Sequence, residues 1–105
     1  PLLRPGGALV YFASVAALPG NHGATMSAYT AAKAGVIAFM RAVAEEEREA
    51  GVRANALAPS AIRTAANLAS MGADARYVER EDVARVVAWL CSEESRSVTG
   101  QVVQL

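Results

Sequence analysis

Ala8-Leu9-Val10-Tyr11-Phe12-Ala13 is an unbroken apolar run set directly behind the breaker Pro5-Gly6-Gly7. It is too short for a helix and lacks polar alternation, so it reads as a strand buried on both faces, as in parallel sheets. Parallel strands need crossovers, and the following sequence supplies them. Residues 14–26 hold Pro19, Gly20, Asn21 and Gly23 and read as a loop. From Ser27 to Ala50 there is no proline and a single glycine among strong helix formers, which predicts a long helix stopped by Gly51. Val52 to Leu57 is a second strand, closed by Ala58-Pro59. Residues 60–78 are irregular, with one short helix near Thr64 to Ser70. Glu79 to Glu94 is a helix whose Val83, Val86, Val87 and Leu90 fall on one stripe. Thr99-Gly100 turns into a third strand, Val102 to Leu105. The order strand, helix, strand, helix, strand predicts an α/β fold with parallel strands and right-handed crossovers.

The 105 residues are enough for one small domain with one core. Apolar residues make up 53%, alanine foremost, which suits helices packed tightly on a sheet. Ten basic and ten acidic residues cancel, so no net field favours nucleic acid or an anionic membrane. No apolar run approaches the ~20 residues of a membrane span. Cys91 stands alone, which excludes an internal disulfide and fits a reducing, cytoplasmic setting. Pro1 to Gly7 reads as a loop rather than a signal or transit peptide. A chain that opens in a loop leading to a strand points to sequence upstream.

Tyr29 and Lys33 begin the long helix, one turn apart, so phenol and ammonium share a face. A cation beside a phenol favours the phenolate and makes the pair a candidate proton donor and acceptor. Ser14 ends the first strand, at the carboxyl edge where ligands collect in open α/β sheets. Its hydroxyl can donate to a carbonyl oxygen that is becoming an alkoxide, or simply cap the loop. His22 has no Cys, Asp or Glu at ligand spacing, so it reads as a surface residue at the mouth of a pocket rather than a metal ligand. Cys91 reads as a small core residue. Glu45-Glu46-Glu47-Arg48-Glu49 reads as a solvated helix end, its acids at the wrong pole of the helix dipole. Ala28, Ala31, Ala32, Gly35, Ala38 and Ala42 form a stripe of small side chains that packs on the sheet or on another helix.

Four segments, in order and spacing, resemble the second half of the short-chain dehydrogenase/reductase family: Leu9-Val10-Tyr11-Phe12-Ala13-Ser14; Tyr29-x-x-x-Lys33 with Ala34-Gly35; Val52-Arg53-Ala54-Asn55-Ala56-Leu57-Ala58-Pro59 leading to Thr64; and Glu81-Asp82-Val83-Ala84 through Val98-Thr99-Gly100-Gln101. Thr64-Ala65-Ala66-Asn67, with Met71 and Ala73-Asp74, also looks like dihydropteridine-reductase-like members. The resemblance implies a Rossmann-type, three-layer fold with a partial sheet of about three parallel strands and helices on both faces. It implies NAD- or NADP-dependent hydride transfer between a small-molecule carbonyl and an alcohol. Tyr29 would be the acid/base. Lys33 would tune it and hold the nicotinamide ribose. Ser14 would polarise the substrate oxygen. Pro59, Ser60, Ile62 and Thr64 would lie along the nicotinamide end, with the Ile62 backbone on the carboxamide and the Thr64 hydroxyl on carboxamide or phosphate. The 27–50 helix would pair across a two-fold axis in a homo-oligomer.

The departures from the family pattern are definite. The chain contains no G-x-G-x-x-G and none of the family's nucleotide-binding first half. The segment carrying the family's catalytic Asn is missing, and Ser60 stands where Gly is usual after the proline. Residues 1–105 therefore read as the C-terminal half of a single Rossmann-type catalytic domain, with the Gly-rich half absent. The competing reading is a non-catalytic fragment that serves as an assembly module through its small-residue helix.

Overall fold

Alternation along the central strand builds the layers. A computed structural model describes residues 5–20 and 26–105. Within them, β1 (Ala8–Phe12), β2 (Arg53–Ala58) and β3 (Val102–Gln104) form a three-stranded sheet in the order β1-β2-β3. Both pairings are parallel, with Ala8 opposite Arg53, Phe12 opposite Leu57, and Ala56 opposite Val102. The helices are α1 (Ser27–Glu46), α2 (Ala65–Met71) and α3 (Arg80–Leu90). Successive β2 side chains point to opposite faces. Ala54 and Ala56 meet Met40 and Ala44 of α1, while Leu57 meets Val83 and Leu90 of α3. Helices thus cover both faces, as the resemblance implied. Met40, Leu57 and Leu90 are fully buried, each contributing about 1.5–3 kcal/mol through the apolar area removed from water.

Polar groups fix the ends of these layers. Asn55, 1% exposed in the middle of β2, donates from Nδ2 to the Val98 carbonyl (3.0 Å) and accepts at Oδ1 from the Gln101 N–H (3.0 Å). It therefore sets where the chain turns into β3. Gly100, at φ +71°, sits in that turn with its N–H on the Ala54 carbonyl. The Arg53 guanidinium donates to the carbonyls of Ser92, Ser95 and Val98 beyond the end of α3. The Ser95 hydroxyl lies within reach of the Trp89 and Leu90 carbonyls. These bonds satisfy acceptors that a helix end leaves open.

Several expectations are corrected. The long helix ends at Glu46, not Ala50, and residues 47–51 form a turn. The turn closes through Gly51 N–H to Arg48 O and Val52 N–H to Glu47 O, with Gly51 at φ +73°. A helix continued to Ala50 would carry Val52 past its place in the sheet. The last helix stops at Leu90, where the Arg53 and Ser95 contacts replace the next turn, and a short 3₁₀ turn, Glu93–Ser95, follows. Cys91 is exposed rather than core. It lies one residue beyond Leu90, and 100° of helical rotation carries it off the buried stripe. β1 is not buried on both faces: Leu9, Val10 and Tyr11 are half-buried and Phe12 is exposed. Among the described residues β1 pairs only with β2, so it is an edge strand. The short helix α2 and the three strands lie within a residue or two of expectation. No helix among the described residues is long and apolar enough to cross a membrane.

Candidate active site

The sheet carries two loops to one edge. After β1 the chain passes through Ser14 into a 3₁₀ turn, Val15–Ala17. After β2 it passes through Pro59 and Ser60 toward α2. The Val15 N–H donates to the Pro59 carbonyl (3.3 Å), so the two loops meet at the carboxyl ends of their strands.

Ser14 is buried, and its Oγ accepts from the Ala16 N–H at 3.2 Å. That is the capping role, and it does not exclude the chemical one. A hydroxyl has one proton and two lone pairs, so accepting from Ala16 leaves the O–H to donate elsewhere. Tyr29 stands in the first turn of α1 with 46% of its surface exposed. The Lys33 amine lies 5.9 Å from the centre of the Tyr29 ring. It donates to the Phe12 carbonyl at 3.1 Å. Sequence reasoning missed this last contact, because a backbone acceptor on an edge strand carries no sequence signature. It ties Lys33 to the chain two residues before Ser14. The structure therefore brings Ser14, Tyr29 and Lys33 to one region, on the end of β1 and the start of α1.

The loop after β2 is held by its own bonds. The Val78 N–H donates to the Ala61 carbonyl and the Arg63 N–H to the Val78 carbonyl, forming a parallel bridge of Ile62 with Val78. Thr64 caps α2: its Oγ1 accepts from the Asn67 N–H at 3.1 Å. Asn67 Nδ2 donates to the Ile62 carbonyl at 2.7 Å, where the Thr64 N–H also donates. The Tyr77 hydroxyl donates to the Gly72 carbonyl (2.6 Å), closing the return from α2. Arg63 pairs with Glu79 (2.9 Å) and stacks 5.0 Å over the Tyr77 ring. In the sequence Asn67 stood only as the end of the Thr64-Ala65-Ala66-Asn67 tract and Tyr77 was not singled out, because their acceptors are backbone carbonyls that no side chain marks.

These partners decide what the loop can offer a nicotinamide. The Ile62 carbonyl is saturated, while its N–H has no acceptor among the described residues. Ile62 could donate to a carboxamide oxygen but is poorly placed to accept. The Thr64 hydroxyl, like that of Ser14, accepts one bond and keeps its proton. Lys33 adds the cation for ribose hydroxyls. This donor set fits the nicotinamide end of the cofactor. Pro59 is buried with its carbonyl accepting from the Val15 N–H, whereas Ser60 is exposed and its N–H is taken by the Leu105 carbonyl (3.1 Å). Val15, Ser60, Arg76 and Tyr77 line a cleft of ≈ 500 Å³ with the end of β3. His22 falls outside the described residues. Among those described, no cluster of His, Cys, Asp and Glu could hold a metal.

A family model described as "Enoyl-(Acyl carrier protein) reductase" matches residues 1–105. The chain is 33% identical over 109 aligned positions to 7alpha-hydroxysteroid dehydrogenase of Bacteroides fragilis, covering 93% of this chain and 41% of that protein. It is 38% identical over 114 positions to acetoacetyl-CoA reductase of Synechocystis, covering 97% and 46%. Among solved structures, a short-chain type dehydrogenase/reductase from Mycobacterium ulcerans superposes with a TM-score of 0.87 at 32% identity, over 96% of this chain and 40% of that one. The chain thus spans under half the length of these relatives.

Proposed function

Because the chain belongs to the short-chain dehydrogenase/reductase family, we propose that it contributes the acid/base and nicotinamide-facing part of an NAD(P)-dependent oxidoreductase acting on a carbonyl/alcohol pair. It is then the C-terminal half of one Rossmann-type domain whose Gly-rich half lies outside these residues, in a cytoplasmic enzyme. The 40–46% coverage of the relatives supports that placement. The observation that carries the reading is the Lys33 amine, beside Tyr29 and bonded to the backbone two residues before Ser14.

The roles follow from the donors. The cofactor, NAD or NADP, supplies or accepts the hydride when bound. Tyr29 Oη gives its proton to the substrate oxygen in reduction and takes it back in oxidation. Ser14 donates its free O–H to the same oxygen, stabilising the developing alkoxide. Its acceptor bond from Ala16 holds the hydroxyl in place meanwhile. Lys33 stabilises the phenolate and donates to ribose hydroxyls. Its bond to Phe12 aims the amine before any ligand arrives. The Ile62 N–H and the Thr64 hydroxyl hold the carboxamide end. The named relatives act on a hydroxysteroid and on acetoacetyl-CoA, so a hydroxyl or keto group is the shared element.

Lys33→Ala tests the reading in the intact protein that carries this chain. Removing a charged donor costs about 1.5–3 kcal/mol, or roughly ten- to a hundredfold in affinity. Both the NAD(P)H dissociation constant, followed by nicotinamide fluorescence, and kcat should worsen by about tenfold or more. Unchanged affinity would contradict the ribose role.

The same reading makes α1 a self-association surface. Ala28, Ala31, Ala32, Gly35, Ala38 and Ala42 are all exposed, so the stripe does not pack on the sheet. Phe39 beside it is 59% exposed. Ala38→Glu should shift the sedimenting species toward monomer with little loss of thermal stability, since Ala38 is exposed among the described residues. An unchanged mass would assign the stripe to solvent.

A further inference from the structure

The cleft at the carboxyl edge of the sheet carries a charge that the reaction described above does not use. Its wall starts at Val15, the residue after Ser14, continues through Ser60 beyond β2, and ends at Leu105 beyond β3. Arg76 and Tyr77 close the other side. Arg76 is the one charged side chain among the residues lining it, and no Asp or Glu lines it. Two arginines flank Tyr77 in this part of the fold, and they are not equivalent. Arg63 is neutralised by Glu79 and stacked on the Tyr77 ring. Arg76 makes no hydrogen bond or ion pair among the described residues and is exposed. Tyr77 and Val78 immediately after it are fixed, the first by its hydroxyl on the Gly72 carbonyl and the second by the bridge to Ile62. Arg76 is therefore held at its base by a rigid strand-like segment, with its guanidinium free.

We infer that Arg76 is a specificity residue: it binds an anionic group, a carboxylate or phosphate, on the same substrate whose carbonyl meets Ser14 and Tyr29. The inference rests on the carbonyl/alcohol reading of that site. An arginine fork matches planar carboxylate and tetrahedral phosphate oxygens bidentately. With no Asp or Glu side chain lining the cleft, it attracts an anion and repels a cation. Val15, which lines the cleft, directly follows Ser14 in the chain, so the anion site lies beside the loop that carries Ser14. A neutral ketone would meet the same acid/base group and gain nothing from Arg76.

The test uses the intact protein carrying this chain, with acetoacetate and its longer linear homologues, each against its methyl ester. Turnover is followed with NADH and NADPH, and binding separately by calorimetry. Wild type should favour the acid over the ester in kcat/KM at one or more chain lengths, and added salt should erode the preference. Arg76→Gln should lower kcat/KM for the favoured acid by about tenfold or more, mainly through KM. It should leave the ester within about twofold. Arg76→Lys should restore part of the loss. Retained ester turnover shows that the variants fold. Equal losses on acid and ester, or no loss on either, overturn the inference. If neither probe turns over but the acid still binds wild type better than Arg76→Gln, the oxidoreductase reading fails and the anion site stands. If the acid binds no better than the ester, the anion site is refuted whatever the turnover.

Discussion

Tyr29→Phe in the intact protein should lower kcat by about a hundredfold or more, the contribution typical of a positioned proton donor, and leave the NAD(P)H dissociation constant nearly unchanged. The variant deletes one oxygen from a half-exposed side chain. The ring stays, so the cation–ring contact with Lys33 and the start of α1 are preserved. Loss of stability cannot then explain loss of turnover. The contrast with Lys33→Ala is the informative part. One variant should separate rate from affinity and the other couple them, because the proposed function has the amine serve both the phenol and the cofactor. If the Phe variant keeps more than about a tenth of wild-type kcat, a loss under ~1.4 kcal/mol, Tyr29 is not the proton donor.

Asn55→Ala should be the most damaging single change to the fold outside the apolar core. The side chain is buried between β2 and the turn into β3. It satisfies one backbone carbonyl, of half-buried Val98, and one backbone N–H, of Gln101. Alanine leaves both without partners and opens a small void. A buried unsatisfied group costs about 1–3 kcal/mol, and these two are only partly buried, so together they cost about 2–4 kcal/mol. That corresponds to a fall in melting temperature of roughly 4–16 °C in the intact protein, at about 2–4 °C per kcal/mol for a domain of 150–250 residues. Thermal melts by circular dichroism give the answer. A fall under a few degrees would mean that the turn at Gly100 is held by its backbone bonds alone. Asn55 is far from Tyr29 in sequence and serves β3, so kcat of the folded fraction should be unaffected.

The element order was legible because it rests on local pattern. The apolar run of β1, the Pro-free stretch of α1 and the valine stripe of α3 each announce themselves within a dozen residues. Tyr29, Lys33 and Ser14 stood out as candidates for the same reason, together with the family resemblance. What escaped depends on contacts between distant segments. Where α1 stops is decided by the need to deliver Val52 to the sheet. Cys91 was misjudged because its face of α3 depends on which residues the helix buries. The Lys33 acceptor is a carbonyl 21 residues away, and no side chain marks it. Arg53 looked like part of a strand motif, yet its work lies at the end of α3, about 40 residues on. Arg76 was passed over as one of many surface charges. Its standing came from its place in the cleft wall and from the pairing of Arg63 with Glu79.

The alanines of β2 have a further meaning. Ala54, Ala56 and Ala58 are the side chains that the sheet turns toward α1, and all three are buried. They act as a shim of minimal thickness, which sets how far the axis of α1 stands above the strands. That height fixes the reach of Lys33 down to the Phe12 carbonyl, and with it the bearing of Tyr29 over the end of β1. The placement of the Tyr29–Lys33 pair is thus machined in the middle of the sheet, by methyl groups. A bulkier residue at any of these places would raise the helix like a wedge under a lever, and the displacement would be felt at the phenol.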